Sequence, residues 1–244
     1  MIAFMIGFML STIIVLLAYY KESLNMSGAV SAILLGTLLY HYGGPYFFFV
    51  LISFFVLSGV IGYSKDNAPS NRNAVQVISN GLLALIFAMI YAAEQSQIFA
   101  VLFFVSIGAS ASDTWSSEIG KRSKNDPYHI LKWRPVDKGI SGGVSFLGLF
   151  GALAASLLYA LMALVVVADF YYILIIFGFS FLGSLVDSIL GVFQVKFKDS
   201  ETGKIVEKKS ETSVYFSGIK FLTNSGVNFI TNLVIVIIVY FYFY

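Results

Sequence analysis

The chain of 244 residues contains no cysteine, which excludes disulfides, thiol catalysis and cysteine-ligated metals. Charge is scarce as well. Asp, Glu, Lys and Arg make up 11% of the residues against 58% hydrophobic types, and the mean hydropathy is +0.85. An ordinary soluble domain needs a charged surface, so this balance excludes one. The net charge is +2, and the basic residues stand among acids rather than in arginine-rich tracts, which speaks against a nucleic-acid partner. The most informative absence is positional: Lys and Arg are missing from every second gap between apolar runs.

Those runs cover about 2–20, 24–43, 46–63, 74–93, 97–112, 142–168, 170–194 and 218–243. A helix needs about 20 apolar residues to cross roughly 30 Å of hydrocarbon. The gaps after the second, fourth and sixth runs hold no Lys or Arg, while the others hold Lys21, then Lys65 and Arg72, then Lys121 through Lys138, then Lys196 through Lys220. The positive-inside rule makes the basic gaps cytoplasmic and puts both termini outside. The expected fold is therefore all-α: a polytopic helical membrane protein with about eight transmembrane helices in one membrane domain spanning 1–244. Cytoplasmic loops are expected at about 113–141 and 195–217, the second a solvated turn or hairpin. Outer turns are short (Gly43-Gly44-Pro45, Ala93-Glu94-Gln95, Ala168-Asp169), and aromatic residues such as Tyr19, Tyr20, Tyr171 and Tyr172 suit interfacial belts. The first run lacks a basic leader and a small-residue cleavage site, so it reads as a retained helix.

Ionisable groups inside a span cost on the order of 3 kcal/mol on insertion scales, so they point to cavities, partners or function. Four segments place polar groups at such depths. Asn73, Gln76 and Asn80 share one helical face. Asp113, Thr114, Ser117 and Glu118 follow a run of small residues, Gly108 to Ser112. On a regular helix Asp113 and Glu118 point roughly 140° apart, so either the helix breaks there or the two acids serve different partners. Gly183, Asp187, Gly191 and Gln194 share another face, as do Asn224, Asn228 and Asn232. Asn and Gln stripes also serve as interhelical glue, and small residues as packing seams. Four polar sets gathered toward the cytoplasmic side nonetheless favour one common site. Asp113, Glu118 and Asp187 are its candidate metal ligands, for Mg2+. Lys138, with Gly139, Gly142 and Gly143 ahead of the sixth run, reads as a phosphate cradle, because freed backbone N–H groups and a helix dipole favour an anion.

The blocks Asn73–Gly81, Ala111–Gly120, Gly139–Gly148, Gly183–Gly191 and Val227-Asn228 resemble the integral membrane family that includes plant phytyl-phosphate kinase, an enzyme of tocopherol biosynthesis. They spread over roughly 70–232, and Asp113-Thr114-Trp115-Ser116-Ser117-Glu118-Ile119-Gly120 is the most specific. The family's glycine block tends to read Pro-Gly-Thr-Asp-Gly-Gly where this chain has Lys138-Gly139-Ile140-Ser141-Gly142-Gly143, so no metal or nucleotide role carries over to Ile140 or Ser141. The resemblance implies transfer of a phosphoryl group from a nucleoside triphosphate, CTP in the plant enzyme, to a prenyl monophosphate, giving the diphosphate.

The sequence thus predicts a CTP-dependent prenyl (phytyl-type) phosphate kinase of the cell membrane, multi-pass, with Mg2+ and its active site on the cytoplasmic face. Asp113, Glu118, Asp187 and Lys138 are the expected catalytic groups. Asn73, Gln76, Asn80, Thr114, Ser117, Gly139, Gly142, Gly143, Ser188, Asn224 and Asn228 are expected to bind nucleotide or substrate. The expected partners are CTP or another nucleotide, a prenyl monophosphate and the bilayer. A polyprenol kinase or CDP-lipid synthase would use the same parts. An ion-coupled transporter is the reading from another class, and the long polar loops on one side only weigh against it.

Overall fold

Inside hydrocarbon a backbone must satisfy its own hydrogen bonds, which the apolar runs do as helices. The computed structural model describes residues 1–63 and 71–243; the basic gap residue Lys65 lies outside them. Among the described residues, seven helices are each long and apolar enough to cross a membrane: α1 (Ile2–Tyr20), α2 (Met26–Gly62), α3 (Ala74–Glu94), α4 (Gln97–Gly120), α5 (Phe146–Ala163), α6 (Phe170–Gly191) and α7 (Asn224–Tyr242). Short strands pair antiparallel in the polar segments. Strand β1 (Tyr128–His129) pairs with β2 (Gly143–Val144), and β3 (Lys196–Asp199) lies between β4 (Ile205–Val206) and β5 (Ser213–Ser217).

Seven helices stand where eight runs were read, because α2 carries two of them in 37 residues. It is not straight. Gly44 adopts φ 74°, ψ −175° just before Pro45, a backbone that glycine takes without strain, and proline suits the first position of a new helical segment. A Cβ on Gly36 would lie 3.3 Å from the Phe48 ring, whereas twelve residues of straight helix span about 18 Å. The Tyr40 and Phe48 rings meet edge-on with centroids 5.5 Å apart. Helix α2 is therefore a hairpin that reverses at the expected Gly43–Pro45 turn.

That reversal sorts the molecule into two ends. At one, Tyr171 and Tyr242 share a hydroxyl hydrogen bond of 2.5 Å, Tyr46 donates to the Met162 carbonyl, and the Phe4 ring meets His41. At the other, Asn25 N–H donates to the Arg72 carbonyl at 3.1 Å and the Arg122 guanidinium donates to the Ile61 carbonyl. Met1 and Phe243 lie at the first, and every described Lys and Arg lies at the second.

Helix α4 runs through the middle, with every residue from Ala100 to Ser112 buried. Its small residues admit close neighbours. A Cβ on Gly183 of α6 would sit 2.6 Å from the Ala109 Cβ. The helix does not break at Asp113; it continues to Gly120, so the first polar loop starts at Lys121 rather than 113. Helix α5 starts at Phe146, later than 142, because Ser145 caps it by accepting from Gly148 N–H at 3.1 Å. The 195–217 segment holds the expected hairpin, β3 with β4, and adds β5 on the other side of β3.

Candidate active site

The Gly183–Ala109 contact sets where α6 meets α4. One turn toward the polar end, the same faces carry Asp187 and Asp113, which line one shared spot between α3, α4, α6 and α7. Asp187 is buried and Asp113 half-buried. Helices α3 and α7 close the group. Thr231 Oγ1 donates to Asp187 Oδ2 at 3.2 Å. Asn228 Nδ2 reaches Asn80 Oδ1 at 3.4 Å, and with its amide turned over it donates instead to Asp187 Oδ2 at 3.2 Å and to the Asn224 carbonyl at 2.8 Å. Asn232 Nδ2 donates to Ser110 Oγ at 2.8 Å, and Ser110 Oγ donates to the Asn80 carbonyl at 3.3 Å. These groups pack closely around one spot between the helices, with no room left for a water molecule. Asp187 lies four residues before the end of α6 and Asp113 seven before the end of α4, roughly 6–10 Å below the polar end of the bundle.

The pair has no cationic partner. Among the described residues the one ion pair joins Lys121 to Glu118, at 2.8 Å. Two adjacent carboxylates in a low-dielectric interior need either a shared proton or a bound cation. Around them stand only uncharged oxygen and amide groups, including the Asn232 Oδ1, which is buried without a hydrogen-bond partner. Oxygen donors of this kind suit a hard divalent cation, which one or two carboxylates can hold alongside phosphate oxygens and water.

Asp113, Asp187, Asn80 and Asn228 thus come together, with Asn224 contributing its carbonyl. Other expected residues do not join them. Glu118 leaves the expected metal trio because α4 stays helical and turns it away from Asp113. It pairs with Lys121, packs beside Gly62 and faces Arg72. No group of three acids or histidines that could hold a metal forms among the described residues. Asn73 and Gln76 form a reciprocal cap on α3, each side chain accepting from the other's N–H at 3.1 Å. Thr114 donates back to the Ser110 carbonyl at 2.8 Å, and Ser117 is exposed.

The glycine block departs furthest from expectation. It does not run into a helix N-terminus, because Gly143 belongs to β2 and Ser145 already caps α5. Lys138 donates to the Ser123 and Lys124 carbonyls at 2.6 and 3.4 Å, tying its own loop together rather than facing the acids. Gly139 and Gly142 take φ of 85° and 89°, and Gly142 packs against Val192 and the Ser188 carbonyl. Lys196, expected only to solvate its loop, is buried and caps α6 through the Gly191 and Val192 carbonyls at 3.2 and 3.0 Å. Burial lowers its pKa, and the charge of Glu207 opposes that shift. Sequence reasoning missed Ser110 and Thr231 as site residues and placed Asn232 on the polar face of α7 without giving it a role. The small-residue run and the Asn stripe of α7 were their only signals.

Residues 9–236 match the family model described as Integral membrane protein DUF92. Protein PGR of Arabidopsis thaliana is 31% identical over 259 residues, covering 91% of this chain and 90% of that protein. The uncharacterized membrane protein MJ0933 of Methanocaldococcus jannaschii is 26% identical over 199 residues, covering 78% and 83%. Protein VTE6, chloroplastic, of Arabidopsis thaliana is 30% identical over 148 residues, covering 54% of this chain and 44% of that protein. No solved structure matches. The family match spans all the helices that carry the acid pair and its rim, and this chain belongs to the integral membrane protein family DUF92.

Proposed function

We propose that the protein is a membrane-embedded phosphotransferase. It moves a phosphoryl group from a nucleoside triphosphate, CTP by the family resemblance, to a prenyl monophosphate. The observation that carries the reading is the Asp113–Asp187 pair, held without a cationic side chain just below the polar end. Membership of the family and the partial likeness to Protein VTE6 support it. The positive-inside rule makes that end cytoplasmic.

The reaction joins an oxygen of the prenyl phosphate to the terminal phosphorus of the nucleotide. The bond from that phosphorus to its bridging oxygen breaks, and the electron pair leaves on the nucleoside diphosphate. A phosphate nucleophile needs no base, so the site has to position and neutralise charge rather than take a proton. Asp113 and Asp187 fit Mg2+, which when bound supplies neutralisation of the transferring phosphoryl charge. Thr231 orients Asp187 through its hydroxyl. Asn80 and Asn228 offer amide groups that select oxygens without adding charge, and the Ser110–Asn232 contact holds Asn80 and α7 in register. Lys121, paired with Glu118 just past the end of α4, puts a positive charge on the polar side of Asp113, toward an arriving phosphate. The prenyl chain stays in the bilayer, beside outward-facing residues such as Phe146 and Phe150.

A polyprenol acceptor would need a base for its hydroxyl, and a transporter would use broken helices at its ion site. Helices α4 and α6 continue unbroken past both aspartates, and the break in α2 at Gly44 lies at the other end. Incubating the purified protein in detergent with Mg2+, labelled CTP or ATP and prenyl monophosphates of several chain lengths tests the proposal. A labelled prenyl diphosphate is the expected product. Turnover with prenol but not with its phosphate would replace the proposal with the polyprenol kinase.

A further inference from the structure

The loop ahead of α5 already grips an anion, one supplied by the protein itself. Ser141 donates its N–H to Glu207 Oε1 at 2.6 Å and its hydroxyl to Glu207 Oε2 at 3.0 Å. Glu207 lies 66 residues further along the chain, just past β4. Two donors from one residue, each taking one oxygen of a planar anion, match a phosphate edge as well as a carboxylate.

The seat is built from fixed groups. Gln194, 1% exposed, donates to Ser141 Oγ at 2.9 Å, and its own Oε1 is buried with no partner. A Cβ on Gly191 would lie 3.0 Å from the Ser141 Cβ, so the last turn of α6 backs the loop closely. Lys196, 8% exposed, acts on Glu207 by its charge while its hydrogen bonds go to the Gly191 and Val192 carbonyls. The position thus has a cation behind it and two Ser141 donors facing the carboxylate. It lies about one helical turn from the acid pair, since Gly191, which backs Ser141, follows Asp187 by four residues on α6.

We propose that Ser141, backed by Gln194 and Lys196, is a phosphate subsite that Glu207 holds as a stand-in, and that a substrate phosphate displaces Glu207 and frees the β4 edge of the sheet. The identity of the physiological phosphate rests on the phosphotransferase reading; the subsite itself does not.

The test is titration calorimetry of pyrophosphate into the purified full chain in EDTA, which keeps metal at the aspartate pair from contributing. Glu207→Ala should bind pyrophosphate about tenfold more tightly than the wild type, since the competing charged hydrogen bonds are gone. Adding Ser141→Ala should remove that gain. Glu207→Gln, which keeps the shape and loses the charge, should gain in the same direction and stands in if Glu207→Ala unfolds by circular dichroism. Unchanged or weaker binding in the folded Glu207 variants would overturn the proposal and leave Glu207 a structural latch. A gain that survives Ser141→Ala would overturn it too, because the anion then binds elsewhere. Repeating the titration with CTP and with a short prenyl monophosphate assigns the subsite to whichever gains. A pyrophosphate gain without any prenyl diphosphate formation would keep the subsite and remove the kinase; turnover without the gain would do the reverse.

Discussion

Asp113 and Glu118 lie five residues apart on one unbroken helix, and the structure treats them oppositely. Glu118 sits at the rim, its side chain 29% exposed, with Lys121 at 2.8 Å. Asp113 turns inward against Asp187, with no cation beside it. Exposed ion pairs contribute about 0–1 kcal/mol, and losing one changes little. An uncompensated buried carboxylate pair costs several times more, so it persists where something binds to it. The contrast locates the chemistry better than a count of acids.

The sharpest way to break that contrast is to neutralise each acid alone. Asp187→Asn or Asp113→Asn should lower turnover about a thousandfold or more, with thermal stability unchanged or raised because a like-charge contact is gone. Glu118→Gln should change turnover by less than about threefold. Initial rates with labelled nucleotide, beside melting curves, check both halves.

A smaller effect should come from the spacing that brings the acids together. Gly183→Ala places a Cβ 2.6 Å from the Ala109 Cβ, while Gly178→Ala on the same helix meets nothing within 4 Å. The first should cost about 1–3 kcal/mol through overpacking and reduce turnover by pushing Asp187 off Asp113. The second should change neither. Equal effects at both positions would mean that the close approach of α6 to α4 does not set the site.

Smallest are the residues that the structure assigns to scaffolding. Asn73→Ala should cost about 1 kcal/mol of stability through its lost cap, without a change in KM or kcat at permissive temperature. Lys138→Ala should likewise act on stability, because its ammonium holds the Ser123 and Lys124 carbonyls. A kcat loss in Lys138→Ala with stability intact would return that lysine to the reaction.

What could be read from the chain followed the range of the forces involved. Hydropathy placed the spans and the Gly43–Pro45 turn, and helical periodicity aligned Asn80, Asp187 and Asn228 on inward faces. The same periodicity separated Asp113 from Glu118, so the metal trio was already strained as a sequence idea. The end of α4 was not legible by hydropathy, because Asp113 to Gly120 is polar while its backbone hydrogen bonds continue. The glycine block resembled a helix N-terminus, but Ser145 had the better claim to that cap. Glu207 gave no local signal at all: its partner, Ser141, is 66 residues away, in a loop that packs on the end of α6.

The central claim is that the Asp113–Asp187 pair, and not Glu118, holds the divalent cation with the nucleotide. Electron paramagnetic resonance of Mn2+ titrated into the purified protein with CTP measures this directly. A tightly held Mn2+ is expected in the wild type and in Glu118→Gln, and its loss in Asp187→Asn. Retention of that Mn2+ in Asp187→Asn, or its loss in Glu118→Gln, would contradict it.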